Sequence, residues 1–290
     1  MEDILRAIVQ HALGATVQDY IDVGGGSINQ TACVTVLGTR CFVKWNDHAP
    51  AHFFWREAQG LELLRSTQTI RIPHIVAQHE ATPDTPAYLI LEWLEPSMRR
   101  SNVFSEQFGH ALAQMHRHTH PEFGLDYDNY IGILKQINAP REEWVAFYRD
   151  CRLMPQIMLA QLKGLMPPDR LKLLMNLMDV LEIFIPEDDV ASLLHGDLWS
   201  GNVLVLANDT PVLIDPAVYY GNREVELAMT ELFGGFSPRF HSAYREAYPL
   251  LPDYEHRRAL YQLYPLLVHL NLFGESYGAQ VEAICQRYVG

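Results

Sequence analysis

Leu194-His195-Gly196-Asp197-Leu198-Trp199-Ser200-Gly201-Asn202, followed by Val212-Leu213-Ile214-Asp215-Pro216, is the stretch on which the reading of the whole chain depends. It contains an H-x-D, an asparagine five residues past that aspartate, and a second aspartate at the end of the next apolar run. Moving the terminal phosphoryl group of ATP requires a carboxylate at the acceptor hydroxyl and two further oxygen-bearing side chains on magnesium. Asp197 suits the first task; Asn202 and Asp215 suit the second. Magnesium is a hard ion that takes one or two protein oxygens and fills its shell with water and substrate phosphates, so one carboxylate and one amide suffice. Residues 203–206 and 212–214 read as short strands joined by a turn at Asn208-Asp209. Such a hairpin would bring Asn202 and Asp215 close at its open end.

Working towards the N-terminus, residues 3–13 have helical spacing of apolar side chains, with Gly14 as a stop. Val23-Gly24-Gly25-Gly26-Ser27 opens a strand–turn–strand unit that runs to Val36. Glycines there let backbone amides approach a phosphate, and they equally suit a plain hairpin turn. The G-x-x-x-x-G-K-[ST] pattern of a Walker loop is missing, which argues against a P-loop fold. Residues 40–44 form the next strand and close on Lys44, which reads either as a solvated strand end or as a lysine reaching ATP phosphates. An amphipathic helix over 53–64 places Phe54, Leu61 and Leu64 on one face and carries Glu57, the candidate partner of Lys44. Glu62 reads as a surface charge. Residues 72–75 and 87–91 are predicted strands around a proline-containing loop at 82–86. Leu91-Glu92-Trp93-Leu94 then leaves the sheet, and its backbone is where an adenine edge would be met. A boundary near Pro96 follows, with a strand-rich 1–95 and a helical 96–290.

Beyond it, residues 105–118 read as a helix capped by Ser105, with Phe108, Leu112 and Met115 on one face. His116, His118 and His120 at its end invite a metal reading, but no H-E-x-x-H supports it, and histidines at a helix C-terminus suit the dipole. Helices over 141–162 and 168–185 carry apolar stripes (Trp144, Phe147, Leu174, Leu181) that belong to a core. Helical periodicity returns at 223–233, 240–248 and 256–273.

The chain has 290 residues, an apolar share of 48% and a net charge of -13. That is enough length for a full core. The acidity argues against nucleic-acid or anionic-membrane partners without excluding a local basic pocket for phosphates. Cys33, Cys41, Cys151 and Cys285 form no C-x-x-C pair, as expected in a reducing compartment. Met1-Glu2-Asp3 is acidic where a signal peptide is basic, and the apolar 260–273 is broken by Gln262, Pro265, His269 and Asn271. A soluble cytoplasmic protein, monomeric or weakly dimeric, is expected.

With both halves read, the chain resembles the fructosamine/ketosamine kinase family, within the aminoglycoside-phosphotransferase and choline-kinase group of protein-kinase-like folds. The resemblance runs over nearly the whole length. It rests on G-G-G at 24–26, F-V-K ending at Lys44, F-x-x-E-A-x-G-L from Phe54 to Leu61, and L-E-W-L at 91–94. More telling are H-G-D-L-W-S-G-N at 195–202 and I-D-P-A-V-Y-Y-G-N-R-E-V-E-L-A-M-T-E-L-F-G-G-F at 214–236. It implies an α+β, two-lobed fold, with a small antiparallel-sheet N-lobe and a larger helical C-lobe. The implied activity is ATP- and magnesium-dependent phosphorylation of the sugar 3-hydroxyl of ketosamines, free or protein-bound, a deglycation repair. Carried over by position, Asp197 is the base, without needing a strongly raised pKa, and Asn202 and Asp215 are the magnesium ligands. Gly24, Gly25, Gly26, Ser27, Lys44, Glu57, Glu92, Trp93 and Leu94 would surround ATP, and Trp199 would contact either the sugar or the core. Two positions depart from the family. Ser27 stands where many eukaryotic members have a redox-sensitive cysteine, so no disulfide switch can form there. Glu226 stands where aspartate is common, so a carboxylate with the same local role is expected.

Overall fold

Period-two alternation along residues 30–46 gives two distinct faces, and the packing follows them. The computed structural model describes residues 1–24, 28–97, 99–186 and 190–290; Gly25, Gly26 and Ser27 lie outside the described residues. Helix α1 (Glu2–Leu13) precedes β1 (Val17–Asp22), β2 (Gln30–Val36) and β3 (Thr39–Asn46); α2 (Phe53–Ser66) leads to β4 (Ile75–His79) and β5 (Ala87–Glu92). The strands pair antiparallel in the order β1-β2-β3-β5-β4. On one face Val34, Val43, Trp45 and Ile90 bury against Leu5, Ile8 and Val9 of α1. The α1 helix stops where Gly14 turns left-handed at φ +62°. On the other face Leu89 and Leu91 pack with Phe54, Leu61 and Leu64 of α2. Lys44 therefore sits in mid-strand, not at a strand end, and is buried. The strand expected at 72–75 begins only at Ile75, since Pro73 has no N–H to offer a ladder.

The helical part runs α3 (Asn102–Met115), β6 (Thr119–His120), β7 (Asn129–Ile131), β8 (Leu134–Gln136), α4 (Trp144–Phe147), α5 (Met154–Leu162), α6 (Pro168–Met178) and α7 (Leu181–Phe184). Then come β9 (Ala191–Leu194), β10 (Val203–Val205), β11 (Pro211–Leu213), β12 (Tyr219–Gly221), α8 (Arg223–Leu232), α9 (Pro238–Ala247), α10 (Tyr254–Tyr261), α11 (Leu263–Phe273) and α12 (Gly278–Val289). The hairpin predicted from the sequence is β10–β11, with Asp209 left-handed in its turn. Phe108 and Leu112 of α3, Val203 and Leu213 share one core with the lower face of the five-stranded sheet. Sheet and helical body are the two lobes of an α+β fold, and this shared core joins them beneath the cleft.

Several helix limits differ from the periodicity, each for a local reason. α3 begins at Asn102 because Ser101, in extended backbone, accepts from Phe104 N–H at 3.0 Å; Ser105 lies inside the helix and donates to Ser101 O. Ser101 Oγ also donates to Asp209 Oδ1 at 2.7 Å. Ser101→Ala should therefore cost about 1–2 kcal/mol, seen as a lower urea midpoint at unchanged m-value. The helix expected from Arg141 starts at Trp144, because Arg141 exchanges backbone hydrogen bonds with Phe123. Between α4 and α5 the chain makes a π turn over Tyr148–Leu153. Pro155 cannot donate to Cys151 O, which accepts instead from Arg152 Nη1 at 3.0 Å. The stretch 256–273 splits at Gln262, and α12 was not anticipated at all. The four cysteines are free and buried. Among the described residues no helix is long and apolar enough to cross a membrane.

Candidate active site

β9 delivers the chain to a loop that only glycine can turn. Gly196 has φ +83°, and a Cβ there would lie 2.0 Å from Ala217 O. The loop is held by Glu226, in the first turn of α8, whose N-cap Asn222 accepts from Glu224 N–H at 2.7 Å. Glu226 Oε1 accepts from Gly196 N–H at 2.7 Å; Oε2 accepts from His195 N–H at 3.1 Å and from His116 Nε2 at 2.9 Å. Burial works to raise the Glu226 pKa, but His116, His195 and the Gly196 amide outweigh it and hold it below the ordinary value. His116 Nδ1 meets Tyr244 Oη at 2.8 Å, and that hydroxyl accepts from Arg223 Nη1 at 3.2 Å. His116 is thus a buried structural partner. Among the described residues no group of three or more His, Cys, Asp or Glu could hold a metal.

His195 is buried, and burial lowers its pKa. Its Nε2–H donates to Ile214 O at 2.8 Å, leaving Nδ1 to accept from Asp197 N–H at 3.3 Å. The imidazole therefore ties the loop to the end of β11 and does not face the cleft as a base. Asn202 Nδ2 donates to Asp197 O at 2.9 Å and to Asp197 Oδ2 at 3.1 Å. Ile214 N–H donates to Asn202 O at 3.1 Å, which sets Asp215 beside them in left-handed backbone at φ +53°. Burial pushes the Asp197 pKa up to about 7; the Asn202 hydrogen bond opposes this, while Asp215 and Glu226 add to it. The role expected of Asp197 from the sequence needs no strongly raised pKa; the rise comes from burial depth, a tertiary property.

Lys44 Nζ lies 2.7 Å from Glu57 Oε1 and 2.9 Å from Asp215 Oδ1. Burial alone would lower the lysine pKa, but Asp215 and Glu57 more than offset it, so the ammonium is kept. Burial, with Asp215 adding to it, raises the Glu57 pKa against the lysine charge. Glu62 pairs instead with its neighbour Arg65, at the surface.

Gly24, Lys44, Glu57, Glu92, Trp93, Leu94, Asp197, Trp199, Asn202 and Asp215 all line one cleft of about 560 Å³. The Glu92 carboxylate is committed to Arg71 and to His74 N–H, and Leu213 N–H donates to Arg71 O at 3.1 Å. The end of the sheet is thereby pinned to the hairpin that carries Asn202 and Asp215. Trp199 is not a core residue: it is 39% exposed, and its ring covers Gly201, where a Cβ would fall 2.2 Å from the indole. Tyr130, His269 and Phe273 also line the cleft and had not been singled out. The polar His269 within an apolar helix was the one sequence signal that could have found that wall.

The model of the fructosamine kinase family matches residues 1–290. A probable ketoamine kinase of Enterococcus faecium is 39% identical over 92% of this chain and 94% of its own. The chloroplastic protein-ribulosamine 3-kinase of Arabidopsis thaliana is 36% identical over 99% of this chain and 88% of its own. A Thermobifida fusca crystal structure with a fructosamine-3-kinase assignment superposes with a TM-score of 0.86 at 34% identity, covering 98% and 97% of the two chains. An aminoglycoside phosphotransferase superposes with a TM-score of 0.67 at 16% identity over the full length of both chains, a likeness of the protein-kinase-like fold. The chain belongs to the fructosamine kinase family.

Proposed function

We propose that this protein is an ATP-dependent ketosamine 3-kinase acting on fructosamine or ribulosamine adducts. The observation that carries the reading is the meeting of Lys44, Glu57, Asp197, Asn202 and Asp215, drawn from both lobes, in one cleft bordered by Trp199. In this reading the backbone of 92–94 meets adenine, the chain divides near Pro96, and Lys44 neutralises nucleotide phosphates while Glu57 holds it. The donor set suits magnesium, with one carboxylate and one amide oxygen and no histidine or thiol. Asn202 and Asp215 would hold the ion, which when bound offsets phosphate charge. Asp197 orients the 3-hydroxyl and receives its proton as the oxygen bonds to the γ-phosphorus and the bond to the bridging oxygen of ADP breaks.

The test is magnesium-dependent ATP consumption with fructosyl-lysine, ribulosyl-lysine, choline and an aminoglycoside. Turnover confined to the ketosamines is expected and ranks the two sugars. Turnover only of choline or the aminoglycoside would replace the acceptor while keeping the chemistry. Lys44→Ala should raise the KM for ATP and lower kcat by about a hundredfold, since it removes charge stabilisation from the transferring group. Near-normal ATP kinetics in that variant would overturn the role given to Lys44.

A further inference from the structure

Apart from the crossover near Pro96, one small element of the helical lobe grips the strand-rich lobe. The β7–β8 hairpin is tied to the segment that follows Asp215: Asn129 Nδ2 donates to Val218 O at 2.8 Å, and Gln136 Nε2 to Ala217 O at 2.9 Å. Hairpin and Asp215 therefore share one support. From it the hairpin reaches three points across the cleft. Tyr130 Oη donates to Ala51 O at 2.9 Å, and its ring lies 5.2 Å from that of Phe53, the first residue of α2. The Arg56 guanidinium of α2 stands 4.5 Å over the ring of Tyr127, just ahead of β7. At the hairpin turn a Cβ on Gly132 would fall 3.1 Å from Ile28 Cδ1, on the segment that leads into β2.

α2 also meets that support directly. Gly60 lies about one turn beyond Glu57. A Cβ at Gly60 would stand 3.2 Å from Val218 Cγ2 and 3.3 Å from Pro216 Cγ. Carbon atoms prefer a wider separation, so α2 can seat this close to the residue after Asp215 because position 60 carries no side chain. The buried Lys44 ammonium spans the same gap, touching Glu57 of α2 and Asp215 of the other lobe.

We propose that Arg56, Gly60 and Tyr130 are positioning residues of a latch between α2 and the β7–β8 hairpin. The latch holds the two halves of the nucleotide site at the spacing that Lys44 spans. It rests on the phosphotransfer reading of Lys44 and Asp215, whatever the acceptor. With the latch fastened, the lobes are pinned at α2 as well as at the crossover, and the site is set before nucleotide arrives. With it loosened, part of the population stands open, and nucleotide affinity falls with the fraction that stays closed.

The experiment is MgADP binding by titration calorimetry, which needs no acceptor, with the melting temperature measured on each variant. Gly60→Val drives a wedge between α2 and residues 216–218 and should weaken MgADP about tenfold, while valine suits a helix at least as well as glycine. Adding Val218→Ala vacates the contact and should return the affinity to within about threefold of wild type. Arg56→Ala combined with Tyr130→Phe removes the cation–ring contact and the bond to Ala51 O without touching the core. That pair should weaken MgADP about tenfold, with a melting temperature close to wild type. Wild-type affinity in the Arg56/Tyr130 pair or in a folded Gly60→Val overturns the latch, as does a Gly60→Val defect that Val218→Ala leaves unrelieved. Should Gly60→Val not fold, the Arg56/Tyr130 pair decides. Wild type that binds no MgADP overturns the phosphotransfer reading, and the latch with it. Wild type that binds MgADP but phosphorylates no ketosamine removes the acceptor proposed above, and the affinities of the variants still decide the latch.

Discussion

Asp197→Asn should lower kcat by about a thousandfold, the range expected when a positioned base is lost, while nucleotide binding should persist. The amide can still accept from Asn202, so the loop geometry survives. The same substitution should stabilise the free protein at alkaline pH. The folded pKa of Asp197 stands above its unfolded value, so stability from this group is fully present below the unfolded pKa and is lost as pH rises through about 7. An asparagine escapes that loss. The variant should melt at a higher temperature than wild type at pH 8, with the two converging towards pH 4. Activity within tenfold of wild type would remove Asp197 from the role of base. A lower melting temperature at pH 8 would mean that its burial is not the cost described here.

Glu226→Ala should destabilise the fold by about 3–5 kcal/mol, as when one partner of a buried polar network is removed. It strands three donors: His195 N–H, Gly196 N–H and His116 Nε2–H. Glu226→Gln keeps the shape but turns an amino group on at least one of those donors, so it should lose roughly 2 kcal/mol and most of the activity. The carboxylate pKa is depressed, so its contribution is present above the unfolded value and disappears as pH falls through the folded one. In urea titrations the gap between wild type and Glu226→Gln should therefore narrow below about pH 4.5. A gap independent of pH, or a wild-type midpoint for Glu226→Ala, would show that the loop holds itself.

Local patterns were readable where a short-range rule decides the conformation. The β10–β11 hairpin, α1 with its Gly14 stop, and the buried face of α2 were legible because spacing and turn chemistry act over a few residues. Ser101 and Ser105 are both serines near an apolar run, and only the extended backbone of Ser101 makes it the cap of α3. The split at Gln262 and the π turn before Pro155 went unseen because periodicity continues through a bend. α12 adds Val281 and Cys285 to the main helical core, a burial that tertiary packing decides.

The sequence by itself determined the family, the two-lobed architecture and a short set of candidate residues, because the chemistry of phosphoryl transfer restricts residue types at close spacing along the chain. Only the tertiary structure decided where those candidates stand and what they touch. Lys44 is separated from Asp215 by 171 positions yet stands 2.9 Å from it. His116, which in sequence resembles a metal ligand, is the buried partner of Glu226, 110 positions away. Burial raises the Asp197 pKa to about 7, and the aromatic end of α11 lines the cleft. Such properties depend on which surfaces come together and how much water they exclude, and distance along the chain carries no information about either.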